Sequence, residues 1–523
     1  MLSRSTFEPE PRRAPDPAHL TTESLATGIG HLSTFAHALA LAGLIAIAGC
    51  SSPETHGPDP SATVDELMDP QACSSCHPRH YQEWASSMHA YAADDPLFLA
   101  MNRRGQREGQ IGTSCLNCHA PMAVRTGATQ DGLNLSDLPQ QLKGVTCYFC
   151  HASDAVQGLH DNPLQLAGDR ALRGEIKDPL GNGFHASSYS ILHDRDQLES
   201  ARLCGSCHDI VNGQGVHLER TFQEWQETVF AQAEVGTTCG QCHMDRGTAL
   251  GPAAAVPSAP PRELHSHRFP AIDLPLTPLP DADELSSEVQ AFLDSSLQSA
   301  LCVRGVGGAS QIQVVLDNVA AGHRFPSGAA QDRRAWLEVT AYAKGAAIYR
   351  TGVVPAGRPL SASVATELFW LGDCLLDSQD RQVRMFWEAN DVESNLLPGQ
   401  LTFDPSDPRF YETHVVATFP RGTSSIAAFP DRVTLNVRLA PFDLDTFDSL
   451  VDSGDLTDSN GVDVESMRAQ LATRSVGREL EWTSDSATET FVDHGVPISC
   501  ISSTNLKAGA DKVLATAHTR CGP

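Results

Sequence analysis

Cysteine and histidine recur together in the first half of this chain. Ten of the 15 cysteines lie between positions 73 and 242, in five copies of the pattern C-x-x-C-H at 73–77, 115–119, 147–151, 204–208 and 239–243. On one helical turn, two thiols three positions apart can each add to a vinyl group of one haem, and the adjacent imidazole can then bind the iron. The five copies therefore predict five covalently attached haems of the c type.

Each copy of the pattern gives its residues a role. The thioether cysteines are Cys73, Cys76, Cys115, Cys118, Cys147, Cys150, Cys204, Cys207, Cys239 and Cys242. The proximal iron ligands are His77, His119, His151, His208 and His243. A single copy could also be a zinc site or a redox dithiol, but a zinc site needs four ligands and a redox dithiol usually stands alone. Five copies favour haem attachment over both alternatives.

Other histidines are candidates for the distal axial position, opposite the proximal ligand of each iron. Twelve histidines beyond position 57 remain once the five proximal ones are set aside, so every iron could have two histidine ligands. The candidates are His89, His185, His193, His217, His267 and His323. An iron without a distal histidine would keep one position open for a small substrate.

The stretch DNVAAGHRFPSG at 317–328 places His323 far from the last haem motif in sequence. Gly322 allows the backbone to approach a large flat cofactor closely, and Pro326 with Gly328 fixes the turn that follows. We therefore expect His323 to be a distal ligand that ties the second half of the chain to a haem of the first half.

The pattern of apolar residues changes along the chain. Residues 69–282 are rich in Cys and His, and their apolar periodicity is too patchy for an ordinary core, so the haems themselves would fill much of the interior. From 295 to 445 apolar residues alternate, as in QIQVVLDNV (311–319), RAWLEVTAYA (334–343), RQVRMFWEA (381–389), THVVATF (413–419) and RVTLNVRLA (432–440). Such alternation between turn signals is typical of an antiparallel sandwich.

These patterns predict an α+β multidomain protein. An α-helical, loop-rich pentahaem domain at 69–282 would be followed by an all-β, sandwich-like domain at 295–445. Residues 446–523 would form a C-terminal extension, helical or irregular, because LDTFDSLVDSG and DVESMRAQLATR have helical spacing.

The N-terminus has the features of an export signal. The apolar run ALALAGLIAIAG at 38–49 is shorter than the about 20 residues that a transmembrane helix needs. It ends in Ile47-Ala48-Gly49-Cys50, which resembles a bacterial lipobox. By that resemblance, 1–49 is a lipoprotein signal peptide, Cys50 is lipidated and 50–68 is a flexible tether. The mature protein would be lipid-anchored in the periplasm, at the outer membrane or on the cell surface; a plain secretory signal is the alternative.

Four cysteines lie outside the haem motifs and the export signal. They are Cys302, Cys374, Cys500 and Cys521. In an exported protein four such cysteines predict two disulfides, and three pairings are open. We expect Cys302–Cys374 and Cys500–Cys521.

The charge balance limits the kind of partner. With 64 acidic and 37 basic residues, the formal charge of −27 argues against nucleic acid. An acidic surface fits soluble redox partner proteins with basic patches, although solubility alone also explains it.

Several segments resemble a family of multihaem c-type cytochromes, namely the relatives of the nitrifiers' tetrahaem electron carrier and, more distantly, of hydroxylamine oxidoreductase. The similar segments are CHPRHYQEWASSMHAYA, LCGSCHDIVNGQGVHLERTFQEW, TCGQCHM, RELHSHRF and AGHRFPSGAAQDRRAW. The resemblance covers about 70 to 445 and implies distal ligands at His89 and His267. A C-x-x-C-K motif, which would indicate an ammonia-forming nitrite reductase, does not occur in the sequence.

The sequence predicts a pentahaem cytochrome that transfers electrons through closely packed, mostly bis-histidine haems. The alternative is a multihaem oxidoreductase that acts on a small nitrogen or sulfur compound at an open axial position. A third reading makes the β domain a docking module that the haems connect to a redox partner. The residues alone leave open whether the protein is an enzyme.

Overall fold

The computed structural model describes residues 60–523 except 246–248, 307, 364–366, 423, 488, 494–495 and 503–519. The predicted signal peptide, Cys50 and most of the tether lie outside the described residues.

Short helices dominate the part of the chain that carries the haem motifs. They are α1 (Val64–Met68), α2 (Pro70–Cys73), α3 (Pro78–Ala85), α4 (Met88–Tyr91), α5 (Pro96–Glu108), α6 (Leu116–His119), α7 (Pro121–Arg125), α8 (Cys147–His151), α9 (Ala201–Gly205), α10 (Thr221–Gln226) and α11 (Cys239–His243). Thr146 caps α8 and Thr238 caps α11, each accepting a backbone N–H two or three residues into the helix. Two of the five motifs, the third and the fifth, therefore coincide with complete one-turn helices.

Three two-stranded sheets lie between these helices. Their strands are β1 (Ser153–Val156), β2 (Leu164–Leu166), β3 (Ala171–Gly174), β4 (Ala186–Tyr189), β5 (Leu250–Pro252) and β6 (Pro261–Glu263). The β3–β4 pair is parallel, and the β1–β2 and β5–β6 pairs are antiparallel.

Helix α12 (Ala282–Ser296) leads into the larger sheets. The strands are β7 (Leu297–Val306), β8 (Ala309–Asn318), β9 (Arg334–Ala343), β10 (Ala346–Thr351), β11 (Trp370–Leu371), β12 (Asp373–Leu376), β13 (Gln382–Val383), β14 (Asp391–Ser394), β15 (His414–Phe419), β16 (Arg432–Ala440), β17 (Arg474–Ser475), β18 (Leu480–Thr483), β19 (Glu489–Asp493) and β20 (Val496–Ser502). Helices α13 (Leu444–Asp452) and α14 (Val464–Gln470) lie between β16 and β17.

Two of these sheets form a sandwich, a name kept below for this pair. One has the strand order β15-β8-β7-β20-β19; the other has the order β10-β9-β16-β17, with β11 on β9 and β18 on β16. Apolar side chains of both sheets and of α12 form a single buried cluster. A smaller sheet of order β13-β12-β14 lies outside this pair.

Alternation of apolar residues located the main strands correctly. The predicted strands at 334–343 and 413–419 are confirmed as β9 and β15, and β8 buries Ile312, Val314 and Leu316 as expected. The predicted strand at 381–389 is wrong beyond its first residues, because Phe386–Glu388 is a 3₁₀ turn.

The last part of the chain differs from the predicted helical or irregular extension. Helices α13 and α14 are present, but the chain then returns to the sandwich. Strand β18 pairs with β16, and β20 pairs with β7. The edge of a sheet leaves backbone N–H and C=O groups unpaired, and these late strands satisfy them.

The expected disulfide pairing is wrong. Cys302 bonds to Cys500, its direct cross-strand partner on β7 and β20, with the Cα atoms 4.1 Å apart. Cys374 on β12 bonds to Cys521, near Arg520, which pairs with Glu393 on the neighbouring strand β14. Sheet register, which sequence spacing does not show, decides the first pair, and the return of the C-terminal residues to β12 and β14 decides the second.

A buried carboxyl in the sandwich predicts a pH-dependent stability. Burial raises the pKa of Asp332 from its ordinary value of 3.8 to about 7, Asp443 adds to the rise and Arg334 opposes it. Because the folded state binds the proton more tightly than the unfolded state, this carboxyl stabilises the fold below about pH 4, and the contribution is lost as the pH rises to about 7.

We expect Asp332→Asn to gain stability relative to the wild type between pH 4 and pH 7, by about 4 kcal/mol at most. Urea unfolding at a series of pH values measures the difference. A difference that stays constant across this range would contradict the prediction.

The described residues contain no helix that combines the length and the apolar character needed to cross a bilayer. The described residues belong to one compact unit.

Candidate haem centres

Four of the five proximal histidines have their Nδ1 atom fixed by a backbone carbonyl. The acceptors are Ala253 for His77, Ala92 for His119, Arg173 for His151 and Pro270 for His243, at 2.8, 3.1, 2.6 and 2.8 Å. Such a bond places the proton on Nδ1 and leaves Nε2 available to a metal. The hydrogen-bond pattern is therefore that of a metal-binding imidazole.

Desolvation favours the neutral, metal-binding form of His208 and His89. It lowers the pKa of His208 to about 4 and that of His89 to about 3. A neutral imidazole has a free lone pair at neutral pH, so neither ring must lose a proton before it binds iron.

The motif cysteines are free thiols, as thioether formation requires. All ten are outside the two disulfides. The part of the chain that the structure describes contains no group of three or more His, Cys, Asp or Glu residues arranged to hold a metal ion.

Three distal candidates lie opposite a proximal histidine at the separation expected for one shared iron. Two imidazoles on opposite faces of an iron have ring centres roughly 6 Å apart, given metal–nitrogen bonds of about 2 Å. The observed centroid distances are 6.4 Å for His77 and His185, 6.4 Å for His151 and His267, and 6.3 Å for His208 and His89. These pairs join residues from distant parts of the sequence.

Two candidates compete for the haem of His151. The ring centre of His193 lies 5.7 Å from that of His151, but its Nε2 bonds to the Cys150 carbonyl at 2.8 Å. His267 bonds through Nδ1 to the His265 carbonyl, and its backbone N–H donates to Glu83 at 3.0 Å. The free Nε2 of His267 makes it the better ligand for this haem.

His323 lies in the region of the fourth and fifth motifs. Burial lowers its pKa to about 4, and the nearby His243, Arg333 and His208 add to this effect. Its Nδ1 bonds to the Arg324 carbonyl at 2.8 Å, which leaves Nε2 free. His89 lies opposite His208, and His243 but not His119 acts electrostatically on His323, so the haem of His243 is the candidate for His323.

The loop that carries His323 is bonded to the helical part of the chain. Ser327 Oγ donates to the buried carboxylate of Glu224 at 2.6 Å, and the Gly328 N–H donates to Thr221 Oγ1 at 3.0 Å. Asn318 Nδ2 donates to the His323 carbonyl at 2.7 Å. The loop is thus held from both sides, which limits where the imidazole can lie.

The ring of His119 stacks on Phe98 of α5, with the centres 4.2 Å apart and the planes parallel within 1°. The ring of His243 likewise stacks on a phenylalanine, Phe292, with the centres 5.2 Å apart. Among the described residues no histidine ring contacts that of His119. His217, a predicted distal ligand, is half-exposed and lies against His160 rather than against a proximal ring.

Thiols of different motifs meet in the folded chain. Cys73 interacts with Cys147, Cys118 with Cys207, and Cys204 with Cys239. The attachment points of the first and third motifs, the second and fourth, and the fourth and fifth are therefore adjacent. Haems bound at these points would be close neighbours.

Sequence reasoning missed the backbone groups that orient the rings. Pro270 and Ala253 lie in Pro-rich segments that look like linkers, yet their carbonyls fix two proximal histidines. Arg173 on β3 fixes His151, and His185 directly precedes β4, the strand paired with β3. A carbonyl leaves no signature in sequence, so only the fold reveals these contacts.

Gly144 is required where the segment before the third motif packs on α4, the helix that carries His89. Its φ is +66°, and a Cβ atom would lie 2.6 Å from the His89 carbonyl oxygen and 2.7 Å from that of Ala90. Gly144→Ala is expected to destabilise the protein by about 2–4 kcal/mol, from backbone strain and overpacking together.

Thermal unfolding of the haem-loaded protein measures that loss, with Gly168→Ala as the control, because a Cβ at Gly168 has nothing within 4 Å. Equal melting temperatures for the two variants would contradict the prediction.

Two comparisons with known proteins found similarities, one to a family model and one in fold. The family model described as "Cytochrome c554 and c-prime" matches residues 72–152, which contain the first three motifs. No curated protein matches the chain. Among solved structures, a penta-heme cytochrome c552 from Thermochromatium tepidum is similar, with a TM-score of 0.53 and 18% identity over 79% of this chain and 97% of that chain.

The family match and the attachment motifs point to the same chemistry. The likeness to the solved structure covers most of the helices and sheets and concerns the fold. Together with the free motif thiols and the oriented imidazoles, these findings support a multihaem c-type cytochrome with covalently bound haem c.

Proposed function

We propose that this protein is a pentahaem c-type cytochrome that transfers electrons along closely spaced, mostly bis-histidine haems. The observation that carries the proposal is the set of three histidine pairs with ring centres 6.3–6.4 Å apart, each pairing a motif histidine with one from elsewhere in the chain. Haem iron with two strong axial ligands cycles between its two oxidation states without an open position for substrate.

The contacts between motifs support electron transfer between the haems. The thiol contacts join the first motif to the third, the second to the fourth and the fourth to the fifth. Cys204 and Cys207 of the fourth motif also help to raise the pKa of Cys150 in the third motif, through electrostatic interaction. All five attachment points therefore belong to one connected series.

The protein's own residues hold the iron ligands in fixed positions. Backbone carbonyls orient the proximal rings, and Ser327 with Thr221 anchors the loop of His323. A rigid ligand set needs little rearrangement when the charge on the metal changes, which suits an electron carrier.

We further propose an exported location with a lipid anchor at Cys50 and soluble redox proteins as partners. The apolar run at 38–49 and the lipobox-like residues before Cys50 support the anchor. The formal charge of −27 favours partners with basic patches.

Mass spectrometry of the intact, denatured holoprotein tests the haem count. We expect a mass five haems above that of the polypeptide, and a loss of one haem in the double variant Cys204→Ser/Cys207→Ser. A smaller count in the wild type would contradict the pentahaem assignment.

The surroundings of His119 favour a second function, reduction or oxidation of a small nitrogen or sulfur compound. Within the described part of the chain its ring contacts Phe98 and no histidine. Ferric electron paramagnetic resonance (EPR) distinguishes the two functions. A purely low-spin spectrum would exclude an open iron, whereas a high-spin signal that shifts with nitrite, hydroxylamine or cyanide would support the enzyme.

A further inference from the structure

The fourth motif is the centre of the series of attachment points. Cys204 interacts with Cys239 of the fifth motif, and Cys207 interacts with Cys118 of the second. The same two cysteines act electrostatically on Cys150 of the third. A haem attached here would exchange electrons with three others, so its reduction potential would affect the flow through the whole series.

Arg333 of the sandwich lies beside this centre. It precedes the first residue of β9, and its electrostatic effect reaches both His208 and His323. Its Nη1 donates to the Ser327 carbonyl and its Nη2 pairs with Asp273 at 2.6 Å. These two contacts hold the guanidinium in one place.

The third nitrogen of this guanidinium, Nε, lacks an acceptor for its N–H. Arg333 Nε is buried and has no hydrogen-bond partner among the described residues, while the side chain as a whole is only 11% exposed. An unpaired N–H of a charged group is costly in the interior, so a partner is expected. The natural complement of a buried guanidinium is a carboxylate.

No carboxylate among the described residues accepts from this Nε–H. Asp273 already pairs with Nη2, and Glu219, which also feels the charge of Arg333, is itself buried, with its pKa raised. Each haem carries two propionate carboxylates, and the haem of the fourth motif would lie next to His208. A propionate is therefore the acceptor that fits by charge and position.

We propose that Arg333 binds a propionate of the haem attached at Cys204 and Cys207 and raises the reduction potential of that haem. A fixed positive charge favours the reduced iron, which has one positive charge less. The sandwich would then tune the central haem as well as supply a ligand to its neighbour. This inference rests on the proposed attachment of a haem at the fourth motif.

A redox titration of the haem-loaded protein, followed by visible absorption, tests the proposal. Arg333→Gln should shift the potential of one haem downward, with the haem count and the low-spin EPR signals unchanged. Asp273→Asn, which removes the negative partner, should shift it upward. Arg438→Gln is the matched control, because Arg438 pairs with Glu338 within the sandwich, and we expect no shift from it.

Opposite shifts in the two variants support the proposal, since general damage to the fold would move both potentials the same way. Unchanged potentials in Arg333→Gln, or shifts of the same sign in both variants, would overturn it. If Arg333→Gln does not accumulate as haem-loaded protein, the direction in which Asp273→Asn shifts the reduction potential decides whether the proposal holds. A wild type that lacks the fourth haem in mass spectrometry would instead reject the proposed function.

Discussion

His323→Ala is expected to convert one of the five haems from low spin to high spin. The variant removes a buried imidazole whose Nε2 is free and whose loop is held against α10 by Ser327 and Thr221. With one strong axial ligand lost, the iron of the fifth motif becomes five-coordinate, and its ferric EPR signal moves from the low-spin to the high-spin region.

Two controls separate loss of a ligand from loss of structure. Added imidazole should enter the vacated position and restore the low-spin signal. His414→Ala removes another buried histidine of the sandwich, one that bonds to Asp317 at 2.9 Å, and should lower the melting temperature without changing the spin state. If all five haems of His323→Ala stay low spin, the prediction is contradicted and His323 has only a structural role.

The second large effect is expected at the haem of the third motif. His267→Ala should produce one high-spin haem, whereas His193→Ala should leave all spin states as they are. Both rings lie near His151, but the Nε2 of His193 is bound to the Cys150 carbonyl and that of His267 is free. His193→Ala should cost only about 1 kcal/mol of stability, the usual loss for one hydrogen bond.

EPR on the two variants, prepared side by side, measures this difference. The opposite outcome, a high-spin haem in His193→Ala only, would assign the ligand to His193. The double variant His267→Ala/His323→Ala should show two high-spin haems, because the two residues serve different irons.

Haem attachment was predictable from sequence because the pattern is local. Each pentapeptide contains both thiols and the imidazole, and one helical turn brings them close together, as α8 and α11 show. Strands β9 and β15 were predictable for a similar reason, since alternation of apolar residues reports which face of a strand is buried.

The sequence could name candidate distal ligands as a set but could not assign each of them to one iron. The sequence offered six histidines, and the choice among them depends on pairs such as His77 with His185 and His208 with His89, more than 100 residues apart. Ring orientation depends on carbonyls such as that of Pro270, which have no sequence signature. His217 belonged to the same set of candidates as His89 but lies against His160.

Disulfide pairing failed because it is a property of sheet register. Cys302 and Cys500 are 198 residues apart in the chain and directly opposite each other on β7 and β20. The order of the strands places them there, and the order depends on long-range pairing that no local pattern encodes.

The sequence by itself determined the five C-x-x-C-H motifs, which predict the covalent chemistry and the proximal ligands, and the apolar alternation that builds the sandwich. The tertiary structure decided which distal histidine lies opposite which motif, which motifs meet and which charge of the sandwich lies beside the fourth. The physical reason is distance along the chain. Bonds within five residues follow from local geometry, whereas a pair of axial ligands or a buried cation depends on how separate elements pack.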